Sequence, residues 1–184
     1  MKNALYILRL AGTLFLITAL VALALAGVNS ITAPAIAQAK EAKTQSAVSQ
    51  VLPGGGKSVE FTDATGLVKN VYRSDAGFAI QVTPSGFDGT IDMMVGIDND
   101  GKILGISIIS HTETAGLGAV AAADNAKGEA FRDQFVGTDT SLSVSKDGGT
   151  VDAITGATIT SRAVTEGVNA ARAWWEANAG KEGA

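Results

Sequence analysis

Ile91-Asp92-Met93-Met94-Val95-Gly96-Ile97-Asp98-Asn99-Asp100-Gly101-Lys102-Ile103-Leu104-Gly105-Ile106-Ser107-Ile108-Ile109-Ser110 is two apolar runs around a polar break. Asp98-Asn99-Asp100-Gly101 is built of residues that hydrogen-bond their own backbone or accept unusual dihedral angles. Ile103, Leu104, Ile106, Ile108 and Ile109 then resume an apolar, isoleucine-rich run typical of strands. The pattern predicts a β-hairpin of Ile91–Asp98 and Lys102–Ser110. Upstream, from about Val59, Leu67–Tyr72 alternates weakly and Phe78–Val82 places Phe, Ile and Val at period two. Glycines at 77, 86 and 89 punctuate these runs, as turns between short antiparallel strands would.

Toward the C-terminus the period changes. Asp124–Val136 reads as a helix with Ala130, Phe131 and Phe135 on one face, Asp124 or Asn125 as its cap and Gly137 as its stop. Leu142–Ser145 and Thr150–Ile154 read as short strands of a second hairpin around Lys146-Asp147-Gly148-Gly149. From Ser161 onward Val164, Val168, Ala171 and Trp175 recur at helical spacing, with Gly180 as the expected stop. Strands followed by segregated helices define an α+β domain with an antiparallel sheet and packed helices.

Toward the N-terminus, Leu10–Val28 carries no charge and is about as long as the roughly 20 residues that cross a bilayer. Lys2 and Arg9 precede it, so residues 1–9 are expected in the cytoplasm and the bulk of the chain on the extracytoplasmic, periplasmic side. Ala24-Leu25-Ala26-Gly27 offers a peptidase small residues. The apolar run nevertheless exceeds the roughly 7–15 residues of a signal-peptide core, which favours a retained anchor over residues 10–28. Asn29–Leu52 reads as a juxtamembrane helix, with Pro34 a candidate break and Ile36, Val48, Val51 and Leu52 a thin apolar face. Pro53-Gly54-Gly55-Gly56 closes a stalk over residues 29–56, leaving 57–184 as the domain.

Composition narrows the chemistry. A net charge of −4 and no basic cluster argue against nucleic acid as a partner. Zero cysteines exclude thiol catalysis, Cys-bound iron–sulfur clusters and a lipidated cysteine, and one histidine leaves no His-based metal or haem set. An electron carrier built on this chain needs an organic cofactor.

Two stretches are richer in chemistry than their position requires. Asp152-Ala153-Ile154-Thr155-Gly156-Ala157-Thr158-Ile159-Thr160-Ser161 gathers hydroxyls at the start of the last helix. One reading is that these hydroxyls cap the helix. A cap needs only one of them, and here several follow an acid at a fixed offset. His111-Thr112-Glu113-Thr114-Ala115-Gly116-Leu117-Gly118 follows an apolar strand directly, with two glycines in three residues. It reads as a solvated loop, or as backbone turned tightly against something flat.

Asp152-x-x-Thr155-Gly156-Ala157-Thr158 resembles the flavinylation motif of the FMN-binding domain family. By that resemblance a dedicated flavin transferase moves FMN from FAD onto the threonine after Gly-Ala, which is Thr158. His111–Gly118 resembles the family's His-x-Glu-Thr-Pro-Gly-Leu-Gly loop, with Ala115 where proline is usual, so a looser loop is expected. The resemblance places Glu113, Thr114, Gly116 and Leu117 near the flavin beside Asp152, Thr155, Gly156, Ala157 and Thr158. Anchor, stalk, sheet, loop and motif stand in the order of the G subunits of Rnf-type ion-translocating ferredoxin:NAD oxidoreductases. The C subunits of sodium-translocating NADH:quinone reductases share the motif but are typically longer. What the resemblance implies is an electron-relay subunit with covalent FMN, partnered by the other membrane subunits of such a complex, and not a stand-alone enzyme. The competing readings are an anchored binding or scaffold module without flavin, and an FMN-bearing subunit of a different membrane electron-transfer chain.

Overall fold

A computed structural model describes residues 2–63 and 65–178, with side chains from residue 6 onward. The expected stop at Gly180 lies outside the described residues. The chain divides into two compact units, Met1–Ala42 and Lys43–Ala184.

Helix α1 runs Lys2–Val51. The large apolar residues of its first unit, from Tyr6 to Ile36, are exposed, and the helix is long and apolar enough to cross a membrane. Pro34 lies inside the helix and does not end it, in contrast to the expected break. Proline deletes one ladder hydrogen bond at a cost of about 3 kcal/mol, and the helical turns on either side continue through it.

The second unit is built on a five-stranded antiparallel meander in the order β1-β2-β3-β4-β5: β1 Lys57–Val59, β2 Val68–Ser74, β3 Gly77–Val82, β4 Asp92–Asp98 and β5 Ile103–Ser110. The predicted β4–β5 hairpin forms, with Val95 opposite Ile106. Its turn is closed by the Asp98 carboxylate, which accepts from the Asp100 and Lys102 amides, while Gly101 takes the left-handed conformation at φ 87°. β3 and β4 are buried on both faces, because each face of the sheet is covered. One face carries the main core, where Val71, Ile80, Val95 and Ile97 meet helices α2 (Ala126–Asp133) and α3 (Thr158–Asn178) through Phe131, Phe135, Val164 and Val168. The other face carries the end of α1: Ala47, Val48, Val51 and Leu52 pack on Tyr72, Ala79 and Met94. Gly96 permits this docking, since a Cβ there would lie 2.1 Å from the Val51 carbonyl.

The helices differ in detail from the sequence pattern. α2 is shorter than expected, capped by the Asn125 side chain, and Ala130 faces outward while Gly128 and Phe131 face in. In α3, Val164, Val168 and Ala171 are buried as predicted and Trp175 packs half-buried against the same core, while Trp174, not expected there, is buried within it. Trp174 stands edge-on to Phe61 and Phe78 and donates to the Thr62 carbonyl. Residues 142–154 do not form the predicted second hairpin. Ser145–Asp147 coils into a 3-10 turn, and Val144 meets Val151 in a single parallel bridge. Val144 and Val151 both enter the core, so the chain curls beneath them instead of running out and back.

Candidate functional site

Pairing of Asp92 with Ser110 sets the loop entering β4 beside the loop leaving β5. The start of α3 closes on both, and one side chain ties the three together. The Glu113 carboxylate is buried; Oε1 accepts from the amides of Phe87 (2.8 Å) and Asp88 (3.2 Å), and Oε2 accepts from the Thr160 hydroxyl (2.5 Å). Thr112 adds a hydroxyl bond to the Asp88 carbonyl, and the Glu113 amide donates to His111 Nδ1 at 3.2 Å. Gly86 and Gly118 are glycines for steric reasons: a Cβ on either would sit 2.2 or 2.4 Å from a Glu113 oxygen. A buried carboxylate is tolerated where several donors meet it, and Glu113 has three. Its carboxylate is committed to holding the loops.

These elements enclose a cavity of about 330 Å³ lined by residues 156–160 with Phe87, Glu113, Thr114, Leu117 and Gly118. That volume lies in the ligand-pocket range of about 300–1,000 Å³. Phe87, Leu117 and Ile159 are 67%, 44% and 49% exposed. With Val136 they are the exposed large hydrophobics among the described residues of this unit, and all but Val136 ring this one opening. An apolar collar of that kind suits a flat aromatic ligand better than water.

Of the residues expected at the site, Glu113, Thr114, Leu117, Gly156, Ala157 and Thr158 line this cavity. Gly116, Asp152 and Thr155 line a second one of about 560 Å³, together with Lys127, Phe131 and Gln134. The Asp152 backbone is clamped by the Gln134 amide, which accepts from its N–H at 2.6 Å and donates to its carbonyl at 3.2 Å. The Asp152 residue is exposed. Gly156 adopts φ 79°, turning the chain into α3.

The four hydroxyls of the stretch separate cleanly. Thr160 is buried and spent on Glu113. Ser161 is buried, donating to the Ala157 carbonyl and accepting from the Ile154 amide, both at 3.0 Å. Thr155 is exposed, with no hydrogen bond among the described residues. Thr158 is half-buried on the cavity wall, the first residue of α3, and its Oγ1 accepts from Lys146 Nζ at 3.0 Å. None of the four caps α3 by accepting from its first amides; among the described residues, the helix hydrogen-bonding begins at the Ala157 carbonyl, which takes the Ser161 amide. The capping reading of these hydroxyls therefore does not hold.

Sequence reasoning missed Phe87, Ile159, Lys146 and Gln134. Phe87 alone left a signal, an aromatic at the tip of the glycine-flanked Gly86-Phe87-Asp88-Gly89 turn. The others depend on contacts that no local pattern announces.

An apolar-rimmed cavity with a threonine hydroxyl and a lysine at its edge fits a flat ring with an anionic tail. This is the class of the FMN-binding domain, whose family model matches residues 86–173, from the Phe87 turn into α3. The chain is 35% identical over 152 residues to the G subunit of the proton-translocating ferredoxin:NAD(+) oxidoreductase complex of Clostridium ljungdahlii, covering 80% of each. It is 34% identical over 189 residues to the G subunit of the Na(+)-translocating ferredoxin:NAD(+) oxidoreductase complex of Acetobacterium woodii, covering 89% of this chain and 88% of that one. The chain belongs to the family of G subunits of ion-translocating oxidoreductase complexes. Among solved structures it is similar to the C subunit of the Na(+)-translocating NADH-quinone reductase of Parabacteroides distasonis, at 25% identity and a TM-score of 0.48 over 66% of this chain and 71% of that one. The apolar N-terminal helix and the two oxidoreductase-complex G subunits together support a membrane-anchored protein.

Proposed function

We propose that this protein is an electron-transfer subunit of an ion-translocating oxidoreductase, relaying electrons through FMN joined to Thr158 by a phosphodiester. When bound, the flavin supplies one- and two-electron chemistry that no side chain of this cysteine-free protein offers. Phe87, Leu117 and Ile159 exclude water from the ring, Glu113 keeps the surrounding loops closed, and Thr158 tethers the tail. Partners on this reading are the other membrane subunits of the complex and, during maturation, a flavin transferase that uses FAD. The folded unit lies outside the cytoplasm, where a covalent tether prevents loss of a dissociable cofactor.

The observation that carries the reading is the fate of the hydroxyls. Thr160 and Ser161 are buried and already bonded, whereas Thr158 opens on the apolar cavity with a cation at its oxygen. The test is a series co-expressed with a flavin transferase and read as flavin fluorescence on a denaturing gel. Thr158→Val removes the hydroxyl at nearly constant shape and is expected to be dark. Thr158→Ser is expected to keep part of the label. Thr160→Val is expected to stay fluorescent while losing about 1–3 kcal/mol of stability, because it leaves a buried Glu113 oxygen short of a donor. A fluorescent Thr158→Val protein would overturn the assignment.

A further inference from the structure

Lys146 stands twelve residues before Thr158 on the 3-10 turn Ser145–Asp147, and its ammonium donates to the Thr158 oxygen at 3.0 Å. The turn that carries it is fixed from several directions. The Ser145 amide bonds the Val151 carbonyl at 2.7 Å, the Asp147 amide bonds the Val144 carbonyl at 2.8 Å, and Gly148 holds φ 83°. Gly149 presses on the Ser143 carbonyl so closely that a Cβ would lie 2.0 Å from it. Asp147 then grips Arg162, one helical turn beyond Thr158 in α3, through two bonds of 2.7 and 2.6 Å. The hydrogen bonds from Arg162 hold the Asp147 carboxyl below its usual 3.8. This tie is present above the ordinary carboxylate range and is lost only as pH falls through the lowered value.

The two cations beside Thr158 are therefore not equivalent. Arg162 is paired with Asp147. Lys146 has no carboxylate within salt-bridge distance among the described residues, and its contact is the Thr158 hydroxyl. We infer that Lys146 is the positioning residue for flavin attachment, orienting the Thr158 oxygen for reaction and then pairing with the phosphodiester formed there. The inference rests on the reading of Thr158 as the acceptor.

An ammonium has three donors and no lone pair, so in this contact the Thr158 oxygen is the acceptor and its own proton points elsewhere. One lone pair is held by Lys146, and another is left to attack phosphorus. In the attachment step the Thr158 O–P bond forms on the FMN-side phosphorus of FAD, and the pyrophosphate P–O bond to AMP breaks. AMP leaves with the electron pair, and the hydroxyl proton passes to a base of the transferase. No oxidant or reductant is needed. The product diester carries one negative charge, formed beside the Lys146 cation, and its non-bridging oxygens are better acceptors than the bridging oxygen, so the ammonium transfers its bond to one of them.

The test uses the full chain in detergent with transferase and FAD, following the initial rate of covalent labelling and the 31P resonance of the labelled protein. Lys146→Met keeps the aliphatic stem and is expected to label roughly tenfold more slowly, the effect of losing one charge-assisted hydrogen bond at a partly exposed site. Its 31P resonance is expected to move. Lys146→Arg is expected to restore most of the rate, and Lys146→Glu to fall below Lys146→Met. Comparing the Arg and Glu variants at matched thermal stability of the unlabelled protein separates charge from folding, and equal rates overturn the inference. So does wild-type rate and resonance in Lys146→Met with Thr158→Val still dark. A labelled Thr158→Val protein defeats the acceptor reading instead.

Discussion

Glu113 does at the residue scale what a flavin-site reading of the loop motif would not suggest. It binds protein on both carboxylate oxygens, and its donors come from positions 26, 25 and 47 residues away. Removing it orphans all of them at once. Glu113→Ala is expected to cost about 3 kcal/mol or more, since hydrogen bonds to a charged group are worth about 1.5–3 kcal/mol each. In a domain of this size that is a fall of roughly 10 °C in Tm. Glu113→Gln keeps an acceptor for the Phe87 and Asp88 amides and turns an NH2 toward Thr160, whose hydroxyl rotates to accept it. The expected loss is about 1 kcal/mol. Thermal unfolding of the unlabelled full chain measures both, and an Ala variant as stable as wild type would show that the loops do not depend on this carboxylate. The sequence motif marked the residue and not this role, because the partners are separated by whole strands.

Among the elements, the paired glycines of the β4–β5 hairpin give a test with its own control. Gly96 and Gly105 stand opposite each other. A Cβ on Gly96 would strike the Val51 backbone, whereas a Cβ on Gly105 meets nothing within 4 Å. Gly96→Ala is expected to cost about 1–3 kcal/mol by overpacking and to lift the end of α1 from the sheet. Faster proteolysis in the Gly54–Gly56 segment would report that release. Gly105→Ala should be neutral or slightly stabilising, because it restricts the unfolded chain more than the folded one. Equal stability of the two variants would mean that α1 does not dock there. The same hairpin was the most legible part of the fold, since its two apolar runs and its Asp-Asn-Asp-Gly turn are local signals. Residues 142–154 were illegible for the opposite reason. A turn signal at Lys146-Asp147-Gly148-Gly149 is equally compatible with a hairpin or a curl, and the burial of Val144 and Val151 against distant helices decides between them. The candidate site divides in the same way. The hydroxyl-rich stretch could be read from sequence, whereas the apolar collar and the lysine exist only once the loops have closed.

For the whole molecule, the feature that governs function is which side of the membrane the folded unit occupies. Lys2 and Arg9 ahead of an uncharged run favour a cytoplasmic N-terminus, and the proposed function then puts the folded unit outside the cytoplasm. The protein contains no cysteine, so any introduced thiol is the sole target for a maleimide. Thr140→Cys places one at an exposed position of the folded unit with no hydrogen bond to lose among the described residues, and Asn3→Cys places one ahead of the apolar run. A substitution at an exposed position such as 140 changes stability by less than about 0.5 kcal/mol, and neither change alters the charges flanking the apolar run, so folding and membrane insertion are expected to be unaffected. With a membrane-impermeant maleimide on spheroplasts, the thiol at 140 is expected to label at once and the thiol at 3 only after permeabilisation. The inverse pattern would place the flavin domain in the cytoplasm, where a dissociable cofactor is not lost to the medium and a covalent tether has no such advantage. Loss of the thiol at 3 from the mature protein, with 140 still labelled, would keep the domain outside but replace the anchor by a cleaved leader.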